Sequence, residues 1–320
     1  MSSKLPKPKR DLRPKGRMHP LILAFLLAAG GTTKTTTTIM LGTILALRGY
    51  TVRIFDLDAQ CNASEIANRG PDDLAESDFT VWDLITGEAT LEEATVQARM
   101  WNGAEPEDWD PEVDGEWDEY LAIPNLFIVP GDERMKNLEK HFASNHSDFS
   151  WLYDQTMKYR TGELTARENE VWLMDLPANY GQITLSTITA MDEDDEVIPP
   201  VLVTGKEAKQ LEKLLIELRE VTHHYRNKSL PARATVHNIL LCGTPTSSHN
   251  AAEYQRTVDE IEEAHGDRVL PHVRYSGVAA GQYRQKAPVA ITDPKSRPTQ
   301  DYNLVADCLG FPDLEPEAAA

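Results

Sequence analysis

The chain has 320 residues, enough to bury a large core, and suits one large α/β domain or a domain of about 250 residues with additions. Asp and Glu number 51 against 32 Lys and Arg, and the net charge of −19 argues against a surface that is a nucleic-acid platform throughout, while leaving room for a local basic patch. Cys61, Cys242 and Cys308 show no CxxC spacing and no Cys/His cluster, which speaks against a zinc or iron–sulfur centre and suits a reducing cytoplasm.

Residues 1–20 carry Lys4, Lys7, Lys9, Arg10, Arg13, Lys15 and Arg17 and read as a basic flexible arm. The run LILAFLLAA then has the look of a signal-peptide core. It feeds straight into GGTTKTTTT with no spacer, so a buried first strand over 21–28 is expected instead. An apolar strand, a Gly-rich turn and a Lys-Thr opening a helix at about 35–48 is the form of a phosphate cradle. The general pattern, counted back from Lys34, wants glycine at positions 28 and 33, where this chain has Ala28 and Thr33. A β-branched residue at 33 resists positive φ and crowds a phosphate, which predicts a loop of altered or strained shape, or weaker nucleotide binding.

The run TVRIFD, 51–56, is a second strand that ends in acids and continues as DLDAQCNAS. Strand, helix and strand make a βαβ unit with parallel strands, and the acids would face the phosphate site. Residues 65–95 read as loop and helix. An acidic insertion at about 100–122 follows, with nine acids and no base between Gly103 and Tyr120. Strands are expected at 126–129, at 171–175 ending in Asp175, at 197–203 bent by Pro199 and Pro200, and at 236–242. An apolar strand tipped with Asp is the form of a segment that holds Mg²⁺ through water. Helices are expected over much of 133–165 and at 182–191, 206–224, 250–264 and 299–309, with 269–273 extended, 276–296 loop-rich and 310–320 an acidic tail. No apolar run approaches the length of a transmembrane helix.

The runs AAGGTTKTTTTIMLGTILALRGYTVRIFDLDAQCNAS, VWLMDLPANYGQITLSTITA and APVAITDPKSRPTQDYNLVA resemble ParA-type partition ATPases, of the ParA/MinD group of deviant Walker P-loop ATPases. The resemblance runs over about 21–309 with the acidic insertion set aside, and so marks 21–309 as a P-loop ATPase domain. It implies an α/β fold, a doubly wound, mostly parallel sheet with helices on both faces. It implies ATP and Mg²⁺ as cofactors, a homodimer on ATP binding, and non-specific DNA as a partner. A ParB-like or other adaptor would stimulate hydrolysis while a plasmid, chromosome or other cargo is partitioned. The setting would be cytoplasmic and nucleoid-associated, and the acidic C-terminal run argues against a membrane-binding helix.

By position, the resemblance implies that Gly30, Gly31, Thr32 and Thr33 line the phosphates. Lys34 would contact the β and γ phosphates, Thr35 would ligate Mg²⁺, and Thr36 would contact the α phosphate. Asp56 would position the attacking water, with Asp58 in the same switch segment, and Asp175 would hold the metal's water shell. The family's signature lysine falls at Ala29. Two readings therefore stay open, an active ATPase and a hydrolysis-deficient nucleotide-binding regulatory protein of the same fold. Lys206 and Lys209 are candidates to supply the missing cation in trans. Arg274, Arg284, Lys286, Lys295 and Arg297 are candidate DNA contacts.

Overall fold

The run LILAF forms β1 (Leu21–Phe25), and all of it is buried. Leu21, Leu23 and Phe25 enter one hydrophobic cluster, and Ile22 and Ala24 enter another on the opposite face. A strand covered on both sides needs apolar residues at every position, which is why this run lacks polar alternation. The structure is a computed structural model and describes residues 12–14, 17, 19–27, 33–103, 118–203, 207–228, 230–244 and 251–314.

In chain order the elements after β1 are α1 (Thr33–Leu47), β2 (Thr51–Asp56), α2 (Asn62–Ile66), α3 (Val81–Thr86), β3 (Val96–Trp101), β4 (Tyr120–Val129), α4 (Leu138–Ser144), α5 (Trp151–Arg160), β5 (Glu170–Asp175), α6 (Gln182–Ala190), β6 (Glu196–Ile198), β7 (Pro200–Leu202), α7 (Glu207–Arg226), β8 (Leu240–Thr244), α8 (Ala251–His265), β9 (Val273–Arg274), α9 (Gly277–Gln285), α10 (Val289–Thr292) and α11 (Arg297–Cys308). Six strands form a sheet in the order β3-β4-β2-β5-β1-β6, and β7-β8-β9 form a second. Pro199 alone separates β6 from β7, so the expected bent strand is real and divides its pairing: Val197 pairs with Ala24, and Pro200 with Leu240. Every pair is parallel except β3–β4. Residues of α1, α2 and α11 cover one face and residues of α3 to α7 the other, which is the expected doubly wound arrangement.

Several expectations are corrected. Residues 96–101 form an antiparallel edge strand, with Trp101 opposite Tyr120, so the ends of the acidic insertion are the strands of a hairpin. Residues 104–117 of that insertion lie outside the described residues. The stretch 276–296 holds α9 and α10 rather than loop. Where it is described, the basic arm is docked. Leu12 is buried and donates its N–H to the Leu309 carbonyl at 3.2 Å, while Arg17 approaches the buried Asp195 at 3.5 Å. Residues 1–11, 15, 16 and 18 lie outside the described residues. The described part of the expected tail, up to Leu314, is also docked, and residues 315–320 lie outside the described residues. Phe311 is buried edge-on against Tyr50 at 5.3 Å, the Arg48 guanidinium donates to the Phe311 carbonyl, and Leu314 N–H donates to the Arg48 carbonyl at 2.9 Å.

Helix α1 presses on the sheet through Gly42, where a Cβ would stand 3.0 Å from Leu173 Cδ1 and 3.2 Å from Ile54 Cδ1. This close approach aims the amino end of α1 at the tips of β2 and β5. Gly42→Val is expected to lower stability by about 1–3 kcal/mol, because a side chain at that point must displace core residues. The denaturant midpoint reads this, and an unchanged midpoint would show that the close approach does not set the helix position.

Candidate functional site

The parallel pairing of β2 and β5 puts Asp56 opposite Asp175. Both lie at the carboxyl ends of their strands, where open α/β sheets take ligands. The two carboxyl groups are buried, at 0% and 1% exposed. Two like charges that share a dry site resist ionising together. Burial, then the other carboxylate, pushes Asp175 up to about 8, against hydrogen bonding from Thr35 and the charge of Lys34. Burial likewise raises Asp56, although hydrogen bonds from Ser64 oppose it. The two carboxyl groups therefore titrate as a pair, and together they resist losing their last proton.

Helix α1 supplies the counter-charge. Lys34 is buried, its Nζ donates to the Leu27 carbonyl at 3.2 Å, and burial lowers its pKa while Asp175 and Asp58 raise it. Thr38 Oγ1 is 3.0 Å from the Lys34 carbonyl and 3.2 Å from Asp175 Oδ1. Thr33 opens the helix and donates its hydroxyl to the Pro200 carbonyl at 3.4 Å. The loop that Thr33 was expected to alter, residues 28–32, lies outside the described residues. Gln282 on α9 approaches Thr36, Nε2 to Oγ1, at 3.4 Å. Asp58 closes a turn by accepting from the Gln60 N–H at 3.0 Å.

Each carboxyl group keeps one buried oxygen, Asp56 Oδ1 and Asp175 Oδ2, with no hydrogen-bond partner among the described residues. Orphaned buried carboxylate oxygens call for a proton, a donor or a cation. With the Thr35 hydroxyl nearby, the donor set is hard oxygen, which fits Mg²⁺. No group of three or more His, Cys, Asp or Glu side chains among the described residues makes a metal cage by itself, so such an ion needs oxygens from a bound phosphate to complete its shell.

The other expected site residues divide. Ala29, Gly30, Gly31, Thr32 and Lys206 lie outside the described residues, and Lys209 is exposed on the first turn of α7. Arg274 is already clamped by Asp301, with Nη2 to Oδ1 at 2.6 Å. Lys286 lies 3.3 Å from Asp73 and 3.7 Å from Glu65. Arg284, Lys295 and Arg297 are exposed. Sequence reasoning passed over Ser64, Thr38 and Gly131, which touch or hold the two acids. Ser64 and Thr38 each close a run that points to the site, DLDAQCNAS and GGTTKTTTT, whereas Gly131 carries no such signal.

A pH dependence follows. The folded pKa values of the pair lie above their unfolded values, so between the ordinary carboxylate range and about pH 8 the native chain binds more protons than the unfolded chain. Without nucleotide and Mg²⁺, stability is fullest at the acid end of that window and declines as pH rises through it. Asp175→Asn is expected to remove most of this decline, raising the thermal midpoint by several degrees at about pH 8 and changing it little at about pH 5. Parallel pH profiles for wild type and variant would contradict the shared-proton description.

No helix among the described residues is long and apolar enough to cross a membrane. The CobQ/CobB/MinD/ParA nucleotide binding domain family matches residues 23–289. The chain is 25% identical to the chromosome partitioning protein ParA of Caulobacter vibrioides over 291 residues, covering 90% of this chain and 93% of that one. It is 21% identical to the sporulation initiation inhibitor protein Soj of Bacillus subtilis over 282 residues, covering 88% and 94%. The apo McdA structure from Cyanothece shares the fold with a TM-score of 0.67 at 17% identity, covering 91% of this chain and 100% of that one. With the P-loop order of elements and the paired acids in place, the chain belongs to the CobQ/CobB/MinD/ParA nucleotide-binding family and has the ParA/MinD type of P-loop ATPase fold.

Proposed function

We propose that this protein is a ParA-like ATPase that binds Mg²⁺-ATP, dimerises on it, binds DNA without sequence preference, and partitions or positions a cargo under the control of an adaptor protein. The observation that carries this reading is the register pairing of buried Asp56 and Asp175 beside buried Lys34 at the amino end of α1. Gly30, Gly31, Thr32 and Thr33 would surround the phosphates, and Thr36 and Asp58 would complete the nucleotide contacts. Lys34 would neutralise the β and γ phosphates, with the first turn of α1 adding its N–H groups. Thr35 and Asp175 would hold Mg²⁺, which supplies further neutralisation of phosphate charge when bound. Asp56 would accept a hydrogen bond from the attacking water and orient it for in-line transfer. A cytoplasmic, nucleoid-associated setting goes with this reading.

DNA contact would fall to Arg284, Lys295 and Arg297, which are exposed, more than to Arg274 and Lys286, whose charges already face carboxylates. Lys206 or Lys209 would take the place of the signature lysine across the dimer. A second reading, a nucleotide-binding regulator without hydrolysis, is favoured by one observation, Ala29 at the position of that lysine.

ATP turnover measured with and without DNA separates the two readings. Turnover that DNA or an adaptor raises is expected, whereas ATP-dependent DNA binding without turnover would favour the regulator. Lys34→Ala is expected to weaken ATP binding by about 30-fold or more, the cost of removing one partner of a buried charge pair. Replacing Arg284, Lys295 and Arg297 together by Ala is expected to make DNA affinity less salt-dependent, by about one in log–log slope for each phosphate no longer neutralised. An unchanged slope would place the DNA surface elsewhere.

A further inference from the structure

A carboxyl group on a strand tip can rotate and present either oxygen. Asp56 is not left to do so. Ser64 donates twice to the same atom, its backbone N–H to Asp56 Oδ2 at 2.8 Å and its hydroxyl to Oδ2 at 2.7 Å. The Ser64 Oγ in turn accepts the Gly131 N–H at 2.8 Å. That second bond occupies the hydroxyl's acceptor side and leaves its proton for Asp56. Ser64 and Asp56 are each 0% exposed, so bulk water does not compete for these bonds.

The clamp draws on three elements: the tip of β2, helix α2, and the segment leaving β4. Gly131 lets it close. A Cβ at that position would stand 3.0 Å from Asp56 Cγ and Oδ2 and 3.1 Å from Cys61 Sγ. On the other side, Cys61 takes a left-handed backbone, φ 54°, as it leads into the helix that carries Ser64. With Oδ2 committed, Oδ1 is the oxygen left without a partner among the described residues.

We propose that Ser64 is a positioning residue for Asp56: with Gly131 it holds Oδ2 so that Oδ1 alone is offered to the reacting water. This rests on the ATPase reading above for its consequence in catalysis, while the geometry stands apart from it. Charge-assisted bonds of this length fix orientation strongly, and misplacement of a catalytic group by about 1 Å costs on the order of 100-fold in rate.

The test uses the full chain with Ser64→Ala and Ser64→Thr, each read in two ways. Steady-state Mg²⁺-ATP turnover is expected to show kcat about 10–100-fold lower for Ser64→Ala, KM within about threefold of wild type, and most of the rate restored in Ser64→Thr. Paired crystal structures are expected to show one Asp56 orientation in wild type and a rotated or divided carboxylate in Ser64→Ala. Wild-type kcat in a folded Ser64→Ala protein, or a Ser64→Thr protein as slow as Ser64→Ala, would overturn the proposal. So would an unmoved Asp56 carboxylate. A wild type that never turns over overturns the ATPase reading instead, and the paired structures then decide the clamp. Should Ser64→Ala fail to fold, Ser64→Cys keeps the volume with a weak donor and takes its place, with a kcat between those of wild type and Asp56→Asn expected. A Ser64→Cys protein at full rate would count against the clamp.

Discussion

Two carboxyl groups on neighbouring strand tips, both out of water, are the constraint around which this site is organised. Asp56 and Asp175 meet because β2 and β5 run parallel in register, and neither can shift without moving a central strand. Their mutual repulsion and burial make the fully ionised pair costly until positive charge arrives. Lys34 supplies part of that charge from α1, though its own burial weakens its hold on a proton. The site is thus held short of positive charge by its own architecture, and a bound Mg²⁺-nucleotide is the species that would relieve it.

The rest of the fold serves that meeting of strands. β1 is buried on both faces, and β5 and β6 flank it. Gly42 lets α1 approach Leu173 and Ile54 closely, so the helix that carries Lys34, Thr35 and Thr38 cannot drift from the sheet. Far from the acids, the start and end of the described chain close over the carboxyl end of α1. Leu12 joins Leu309, Leu314 joins Arg48, and Arg48 also pairs with Asp307 at 2.8 Å. Burying Phe311 and Tyr50 there adds roughly 1.5–3 kcal/mol for each side chain.

Much of this was legible in the residues, for a physical reason. Strands buried on both faces announce themselves as apolar runs, and acids at their ends announce the ligand edge, so β1, β2 and β5 and the placing of Asp56 and Asp175 at one edge of the sheet could be anticipated. What escaped depends on contacts between distant segments. The edge strand 96–101 alternates Gln97 and Arg99 with Val96, Ala98 and Met100, a faint signal until Tyr120–Val129 pairs with it. The arm looked free because its charge is obvious, yet in its described part Leu12 is buried and Arg17 approaches Asp195. Lys286 and Arg274 looked available for DNA because Asp73 and Asp301, which hold them, are remote in sequence. Ser64 lies inside the DLDAQCNAS run, but its contact with Asp56 is completed only by Gly131, on the segment that leaves β4.

Proton release on ligand binding tests the shared-proton account most directly. Isothermal titration calorimetry of Mg²⁺-ATP into the full chain at about pH 7, in buffers of different ionisation enthalpy, counts protons leaving the complex. A pair that holds a proton when empty and gives it up to bound positive charge requires release of about one proton per nucleotide, and far less from Asp175→Asn. Binding with no proton released from the wild type would contradict the account, since Asp56 and Asp175 would then already be fully ionised in the empty protein.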